Sequence, residues 1–283
     1  MHDLSGQTAV VTGAASGIGA GAAEAFAAAG MAVVIADIEF PAAEVVAKRL
    51  ADRYGAATLA VGVDVADPSS VQALAERSWA DFGDVHLLFN NAGVMPVGPL
   101  LQTSLDDWRW LVEVNLYGVL NGVSAFVPRM LERGIPARVV NTASMASFAP
   151  SSTVAAYAAS KQAVLGVSES LRMELEGTPV RVSVVCPGAV DTEIAQSERN
   201  RHLRFGAPNG RVIPESPDTV KARAQLISPS QAGRVILDGI DRDEFWIFTH
   251  PTWARKIRTR FDEAANVADT TANRMDAGQL TLR

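Results

Sequence analysis

Tyr157 and Lys161 stand four residues apart in YAASK, inside an alanine-rich stretch that ought to be helical. That spacing sets both side chains on one helix face, so a phenol lies beside an ammonium. The pair is either a chance surface neighbour or the working part of a proton-transfer site. A free tyrosine titrates near 10, and poising it near neutrality takes roughly 4 kcal/mol of preference for phenolate. An ammonium about 4 Å away, at an effective dielectric near 20, supplies about that much. Upstream, Ser144 closes the apolar run ARVVNTAS (137–144), a position where a hydroxyl could meet a ligand at a strand's carboxyl end.

A second set of residues points to a nucleotide. The run TAVVTG passes into TGAASGIG, with Gly13, Gly17 and Gly19 ahead of an alanine-rich helix. Glycines there let the backbone turn tightly and approach a pyrophosphate at the helix's N-terminal amides. Glycine also ends strands for structural reasons, and the spacing departs from the usual G-x-G-x-x-G. The next run ends at Asp37, where a carboxylate can bond the adenosine ribose hydroxyls and repel a 2′-phosphate; an ordinary turn residue is the plainer alternative. Ser16 and Ile38 stand where a base would help hold that phosphate, so nothing compensates and NAD is expected over NADP.

Elements that could position these groups follow from the hydropathy pattern. Seven short runs are apolar throughout, at 8–13, 32–37, 59–65, 85–90, 137–144, 180–188 and 245–250, as for strands covered on both faces. Candidate helices lie between them at about 17–29, 41–54, 68–81, 105–133, 154–176 and 229–241. Alternating β and α in this order predicts a single-domain α/β fold, a doubly wound parallel sheet of about seven strands with helices on both faces. The catalytic domain is set at 1–250, with an irregular lid at 189–227 and a helix and tail at 251–283. In the tail, Trp253, Ile257 and Phe261 recur every four residues, a stripe suited to packing on the body or on a partner subunit. The polar end, 270–283, is expected to be disordered.

Composition narrows the partners. Over 283 residues, a net charge of −6 gives no general attraction to nucleic acid or anionic membrane, which favours small molecules or other subunits. No apolar stretch reads as a membrane span, MHDLSGQTAVVTG fits neither a signal nor a transit peptide, and no metal site is expected. The single cysteine, Cys186, is read as a buried structural thiol, and a cytoplasmic location is expected.

In order, TGAASGIG (12–19), DV (64–65), NNAG (90–93), Asn115, Ser144, YAASK (157–161) and PG (187–188) resemble the short-chain dehydrogenase/reductase family over roughly residues 5–250. The family's own glycine spacing accounts for the departure noted above. The resemblance implies an NAD-dependent oxidoreductase interconverting a hydrophobic secondary alcohol and its ketone, with Tyr157 as general acid/base. Ser144 would bind the substrate oxygen, Lys161 the nicotinamide ribose, and Asn115 a water linking Lys161 to solvent. Gly13, Ser16, Gly17, Ile18, Gly19 and Asp37 would hold the adenosine side. Asp64 and Val65 would lie at the adenine, and Asn91, Ala92 and Gly93 beside the ribose, with Asn90 there or bracing the sheet. Pro187, Gly188, Val190 and Thr192 match PG-x-V-x-T, whose threonine would hold the carboxamide.

The substrate pocket is expected from Met95, Pro96, Met145, Phe148 and the lid, mostly apolar, unless these side chains only pack the lid. Arg199, Arg201, Arg204 and Arg211 could meet an anionic group, or face solvent. PRMLERG, NTASM and FWIFTHP resemble bacterial members that oxidise bulky or aromatic alcohols. Two other readings stay open: an NADPH-dependent biosynthetic ketoreductase, and a non-catalytic dinucleotide-binding redox sensor. Family resemblance also implies a homotetramer, or a dimer, pairing through helices 105–133 and 154–176.

Overall fold

Runs of Val, Ile, Leu and Ala without polar alternation can be stable only as strands covered on both faces, and that is how they fold. The computed structural model describes residues 4–212 and 224–277. Its strands are β1 (Thr8–Thr12), β2 (Ala32–Asp37), β3 (Thr58–Gly62), β4 (Leu87–Asn90), β5 (Ala137–Thr142), β6 (Val180–Cys186) and β7 (Trp246–Phe248). They form one sheet in the order β3-β2-β1-β4-β5-β6-β7, and every neighbouring pair is parallel. Most strands end earlier than the apolar runs suggest, because the chain leaves the ladder at the carboxyl edge to build loops. β3 is only partly buried, as an edge strand must be.

Helices α1 (Gly17–Ala28), α2 (Phe40–Tyr54), α3 (Pro68–Phe82), α4 (Leu105–Val112), α5 (Gly118–Arg133), α6 (Ala155–Glu174), α7 (Pro229–Asp241) and α8 (Ala254–Asp276) complete the fold. Successive strand residues point to opposite faces. Val10 therefore joins the core layer of Leu74, Trp79, Phe126 and Met130, while Ala9 and Val11 join that of Phe26, Leu50 and Ile236. The helix expected at 105–133 is continuous but carries one wider π-type turn, Glu113–Tyr117, between α4 and α5. By length and composition Leu105–Arg133 could cross a membrane, yet Trp110, Leu111, Phe126 and Met130 are spent on the core.

Chain order in the sheet sets where a ligand can enter. From β1 the chain moves outward to β3, then returns to β1's other side at β4, so the loops after β1 and β4 diverge at this switch point. Thr12 and Asn91 stitch the two loops at their base. The Thr12 hydroxyl accepts the Asn91 and Ala92 N–H groups at 3.0 and 3.1 Å, and Asn91 Nδ2 donates to the Thr12 carbonyl at 3.0 Å. Deeper in the sheet, Asn90 donates to Asn141 and Asn141 to Ser168, a buried chain that braces β4, β5 and α6.

Two expectations about the tail change. Residues 270–276 are helical as the end of α8, where disorder was expected. Residues 278–283, like 213–223 of the lid and 1–3 at the other end, lie outside the described residues. The stripe packs on the body at its start. Trp253 and Ile257 lie against the cluster of Phe148, Val164 and Val184, Arg260 donates to the Ser147 carbonyl at 2.7 Å, and Phe261 remains 56% exposed.

α1 and α7 approach at backbone distance. A Cβ built on Gly233 would sit 2.0 Å from the Gly21 carbonyl oxygen, and one on Gly21 2.0 Å from that of Pro229. Backbone atoms cannot swing aside as side chains do, so Gly233→Ala should lower the unfolding free energy by about 2 kcal/mol or more, measured by urea denaturation.

Candidate active site

The catalytic candidates meet at the carboxyl edge of β4 and β5. Tyr157 lies in the first turn of α6 and Lys161 one turn on, both buried at 8% and 2% exposure. Lys161 Nζ stands 5.8 Å from the centre of the Tyr157 ring and donates to the Thr142 carbonyl at 2.8 Å. Ser144 follows β5, accepts the Ala146 N–H at 3.0 Å, and its hydroxyl is close enough to hydrogen-bond the phenol.

Electrostatics here differ from the expectation drawn from spacing. Burial raises the Tyr157 phenol above its ordinary range, and the Ser144 hydrogen bond offsets this only in part. Burial also lowers Lys161 from 10.5 to about 8, against a smaller opposite pull from Cys186. Desolvation penalises both charged forms, and it outweighs the Coulomb attraction that a simple distance estimate credits. The protein alone therefore holds Tyr157 as a neutral acid. Cys186 sits in the same dry layer, with its thiol pushed up to about 12 by burial, which leaves it protonated.

Asn115 occupies the π-type turn, a feature frequent at functional sites. Its Oδ1 accepts the Val94 N–H at 2.8 Å, and its Nδ2 donates to the Val94 carbonyl at 3.0 Å and to Ser160 at 3.1 Å. Asn115 thus fixes the loop after β4 against α6. Gly93 of that loop lies close to both groups: a Cβ there would make tight contacts, 3.3 Å from Asn115 Oδ1 and 3.4 Å from Lys161 Nζ.

A cleft of roughly 760 Å³ runs from this cluster to the end of β2. Its lining includes Gly13, Ser16, Gly17, Ile18 and Asp37, then Asp64, Val65, Asn91, Ala92 and Gly93, and also Pro187, Gly188, Val190 and Thr192, the last beside Gly17. A dinucleotide fits this arrangement. Gly13 and Gly17 have φ of +64° and +52°, and a Cβ on Gly13 would strike the Ala92 Cα at 2.7 Å, so only glycine gives this turn. Ser16 caps α1 in extended conformation without a side-chain cap bond, which leaves the helix's first amides toward the cleft. Gly19 does not line the cleft; its Cα packs under the Gly13 carbonyl, where a Cβ would be 2.1 Å from oxygen. Asp37 is 7% exposed and accepts the Ala15 N–H at 2.9 Å and the Glu39 N–H at 3.0 Å.

Met95 and Met145 line the cleft, as expected. Phe148 does not. It packs against Trp246 and Phe248 of β7 and Phe261 of α8, and Pro96 is likewise buried away from the cleft. Trp110, Phe205, Ile194 and Trp253 line it without having been singled out for it. Ile194 and Phe205 belong to the expected lid and Trp253 to the tail stripe, but that Trp253 and Trp110 reach the cleft is decided only where α4, the lid and the tail meet in the fold. The Thr142 carbonyl escaped notice for a similar reason, because a main-chain acceptor has no sequence signature.

The lid arginines are cross-links: the Arg201 side chain is buried, while Arg204 and Arg211 stay exposed to solvent and still bond to the body. Arg201, 1% exposed, pairs with buried Asp107 of α4, donates to the Phe205 carbonyl, and lies over the Trp110 ring. Arg204 pairs with Glu113, and Arg211 donates to the Gln102 carbonyl. Arg199 forks onto Glu39, two residues beyond Asp37, so a base does reach the adenosine end of the cleft, contrary to expectation.

Among known families, the one described as short chain dehydrogenase matches residues 7–203. A 1-deoxy-11-beta-hydroxypentalenate dehydrogenase of Streptomyces exfoliatus is 41% identical over 265 residues, 93% of this chain and 90% of the relative. A short chain dehydrogenase/reductase from Burkholderia phymatum, solved in complex with NAD, has a TM-score of 0.84 at 35% identity, covering 94% of this chain and 96% of that one. A short-chain dehydrogenase from Sphingobium yanoikuyae, solved in complex with NADPH, has a TM-score of 0.74 at 28% identity, covering 93% and 95%.

The buried ammonium has a signature in stability. With its folded-state pKa depressed to about 8, Lys161 stabilises the fold fully only above its unfolded value of 10.5, and that contribution is lost as pH falls through 8. Cys186, raised from 9.0 to about 12, acts oppositely above pH 9. The difference in Tm between wild type and Lys161→Met should therefore grow in favour of wild type from pH 8 upward, Cys186 being common to both. A flat difference in scanning calorimetry would mean that the ammonium is not desolvated.

Proposed function

This chain belongs to the short chain dehydrogenase family, and from that premise we propose that it interconverts a hydrophobic secondary alcohol and its ketone with NAD as cofactor. The observation that carries the reading is the meeting of Tyr157, Lys161 and Ser144 in one dry cleft that also ends at Asp37. When bound, the nicotinamide supplies the hydride acceptor or donor and, oxidised, a positive charge beside the phenol.

Tyr157 takes the hydroxyl proton in oxidation and returns it in reduction. Ser144 donates to the substrate oxygen, where negative charge develops in the transition state. Lys161 lends its charge to the phenolate and holds the nicotinamide ribose. Asn115 keeps the Val94 loop and α6 in register around them. Because burial raises the phenol, the protein is poised for the reductive half as an acid, and oxidation gains as pH rises.

Apolar cleft residues, among them Met95, Trp110, Met145 and Phe205, support a hydrophobic and bulky substrate. The Streptomyces relative is named for a hydroxylated compound, which agrees with an alcohol at this site. Asp37, aimed at the ribose corner, favours NAD. We also place the protein in the cytoplasm as a homotetramer or dimer; exposed Tyr117 between α4 and α5 and Met173 on α6 support pairing through those helices.

Tyr157→Phe should cut turnover at least about a hundredfold while leaving the NADH dissociation constant within about twofold of wild type. Retained activity would remove Tyr157 from its assigned role. Wild-type oxidation of a panel of secondary alcohols, followed by NADH absorbance, should speed up from pH 7 to 9 and proceed faster with NAD than with NADP. Asp37→Ala should narrow that cofactor preference, and an unaltered ratio of kcat/KM values would refute the role of Asp37.

A further inference from the structure

Asp37 can discriminate against a 2′-phosphate only if no free cation waits beside it, yet the fold brings an arginine to that corner. Arg199 belongs to the helical turns Glu193–Asn200 after β6, and lines the same end of the cleft as Asp37, Ile38 and Glu39. Its Nε donates to Glu39 Oε1 at 3.0 Å and its Nη2 to Oε2 at 2.9 Å, a bidentate fork. Nη1 donates to the carbonyls of Glu193 and Gln196 at 3.3 and 3.2 Å, and Nη2 lies 3.2 Å from the Glu193 carboxylate. The two N–H groups of the fork, on Nε and Nη2, are therefore taken by Glu39 and are not free for a phosphate. Glu39 is itself tied to the ribose corner, since its N–H donates to Asp37 Oδ1. The Glu39 hydrogen bond, then the charges of Glu39, Glu193 and Asp37, hold Arg199 firmly protonated.

An arginine fork matches carboxylate and phosphate alike, so the two compete for the same pair of N–H groups. We propose that Glu39 is a cofactor-specificity residue, which occupies the fork of Arg199 and so withholds from a 2′-phosphate the base that would otherwise bind it beside Asp37. The proposal rests on the NAD reading above and deepens it. Discrimination is then shared: Asp37 repels the extra phosphate, and Glu39 prevents its rescue. The pair is about one-third exposed, at 33% and 32%, so its hold weakens as salt rises.

Direct titration with NADH and with NADPH, followed by nicotinamide fluorescence, tests this without any substrate. Glu39→Gln preserves the side chain's shape and removes its charge. It should tighten NADPH about tenfold, leave NADH within about twofold, and lose part of the gain on adding salt. Arg199→Met alone should not tighten NADPH, since it frees no base and bares the Glu39 carboxylate, and E39Q/R199M should abolish the gain. An unmoved ratio in E39Q, a gain that survives in the double variant, or tighter NADPH binding in R199M would each overturn the proposal. Wild-type protein that binds NADPH as tightly as NADH would instead overturn the cofactor reading, so the two failures are distinguishable. Matched melting temperatures for the four proteins establish that each is folded.

Discussion

Lys161 is 2% exposed, and its ammonium donates to the last main-chain carbonyl of β5 at 2.8 Å. Taking an ammonium out of water costs several kcal/mol unless the surroundings return the interactions it loses. The geometry around it answers that requirement: β5 offers the Thr142 carbonyl, Gly93 leaves room beside Nζ, and the Tyr157 ring presents its face at 5.8 Å. Compensation is incomplete, as the fall of its pKa to about 8 records. What the site gains is a cation in a medium where charge is weakly screened, next to the buried Tyr157 phenol.

That constraint spreads outward. For Lys161 to meet Thr142 and Gly93 together, the loop after β4 must sit at a fixed height over α6, and Asn115 sets it through both polar groups of Val94. Asn115 reaches that position from a π-type turn whose helix is in turn tied to the lid. Asp107 closes the capping box of α4 and also receives Arg201, both side chains nearly fully buried. Removing one partner of such a pair costs about 3–5 kcal/mol, because it strands a charge away from water. The lid at Arg201 is therefore registered to the helix that carries Asn115, and the apolar side of the cleft is aligned with Tyr157 and Lys161 by ion pairs some distance from either.

Fold class and the number of strands were largely legible, because a parallel sheet covered on both faces demands uninterrupted apolar runs, and helices between them demand right-handed crossovers. The seven strands of the sheet answer to the seven runs. Strand ends were overestimated. VDV after β3 and Ala143–Ser144 after β5 prolong the runs in sequence, and each segment keeps one main-chain bond, from Val63 to the Asp37 carbonyl and from Ala143 to the Val185 carbonyl, before the chain leaves the ladder. The tail misled in the other direction: the polar stretch 270–276 looks unfit for order, yet it continues the helix begun at Ala254. Helix propagation adds a hydrogen bond per residue once nucleation is complete, and the docked turns of Trp253 and Ile257 supply the nucleus.

By itself, the sequence determined what depends on spacing along one element: Tyr157 above Lys161 on a helix face, the glycine turn before α1, Asp37 at the end of β2. These are local, since a helix or a strand end fixes the relation among its own residues wherever it lies. Only the tertiary structure decided what depends on dielectric and on distant partners. Burial reversed the sign expected for the Tyr157 phenol, because desolvation is a property of everything packed around a group and of none of its neighbours in sequence. Long-range pairing turned Arg201 into a buried anchor and carried Arg199 across 160 positions to Glu39. A charge's partner is chosen by proximity in space, and no periodicity along the chain encodes it.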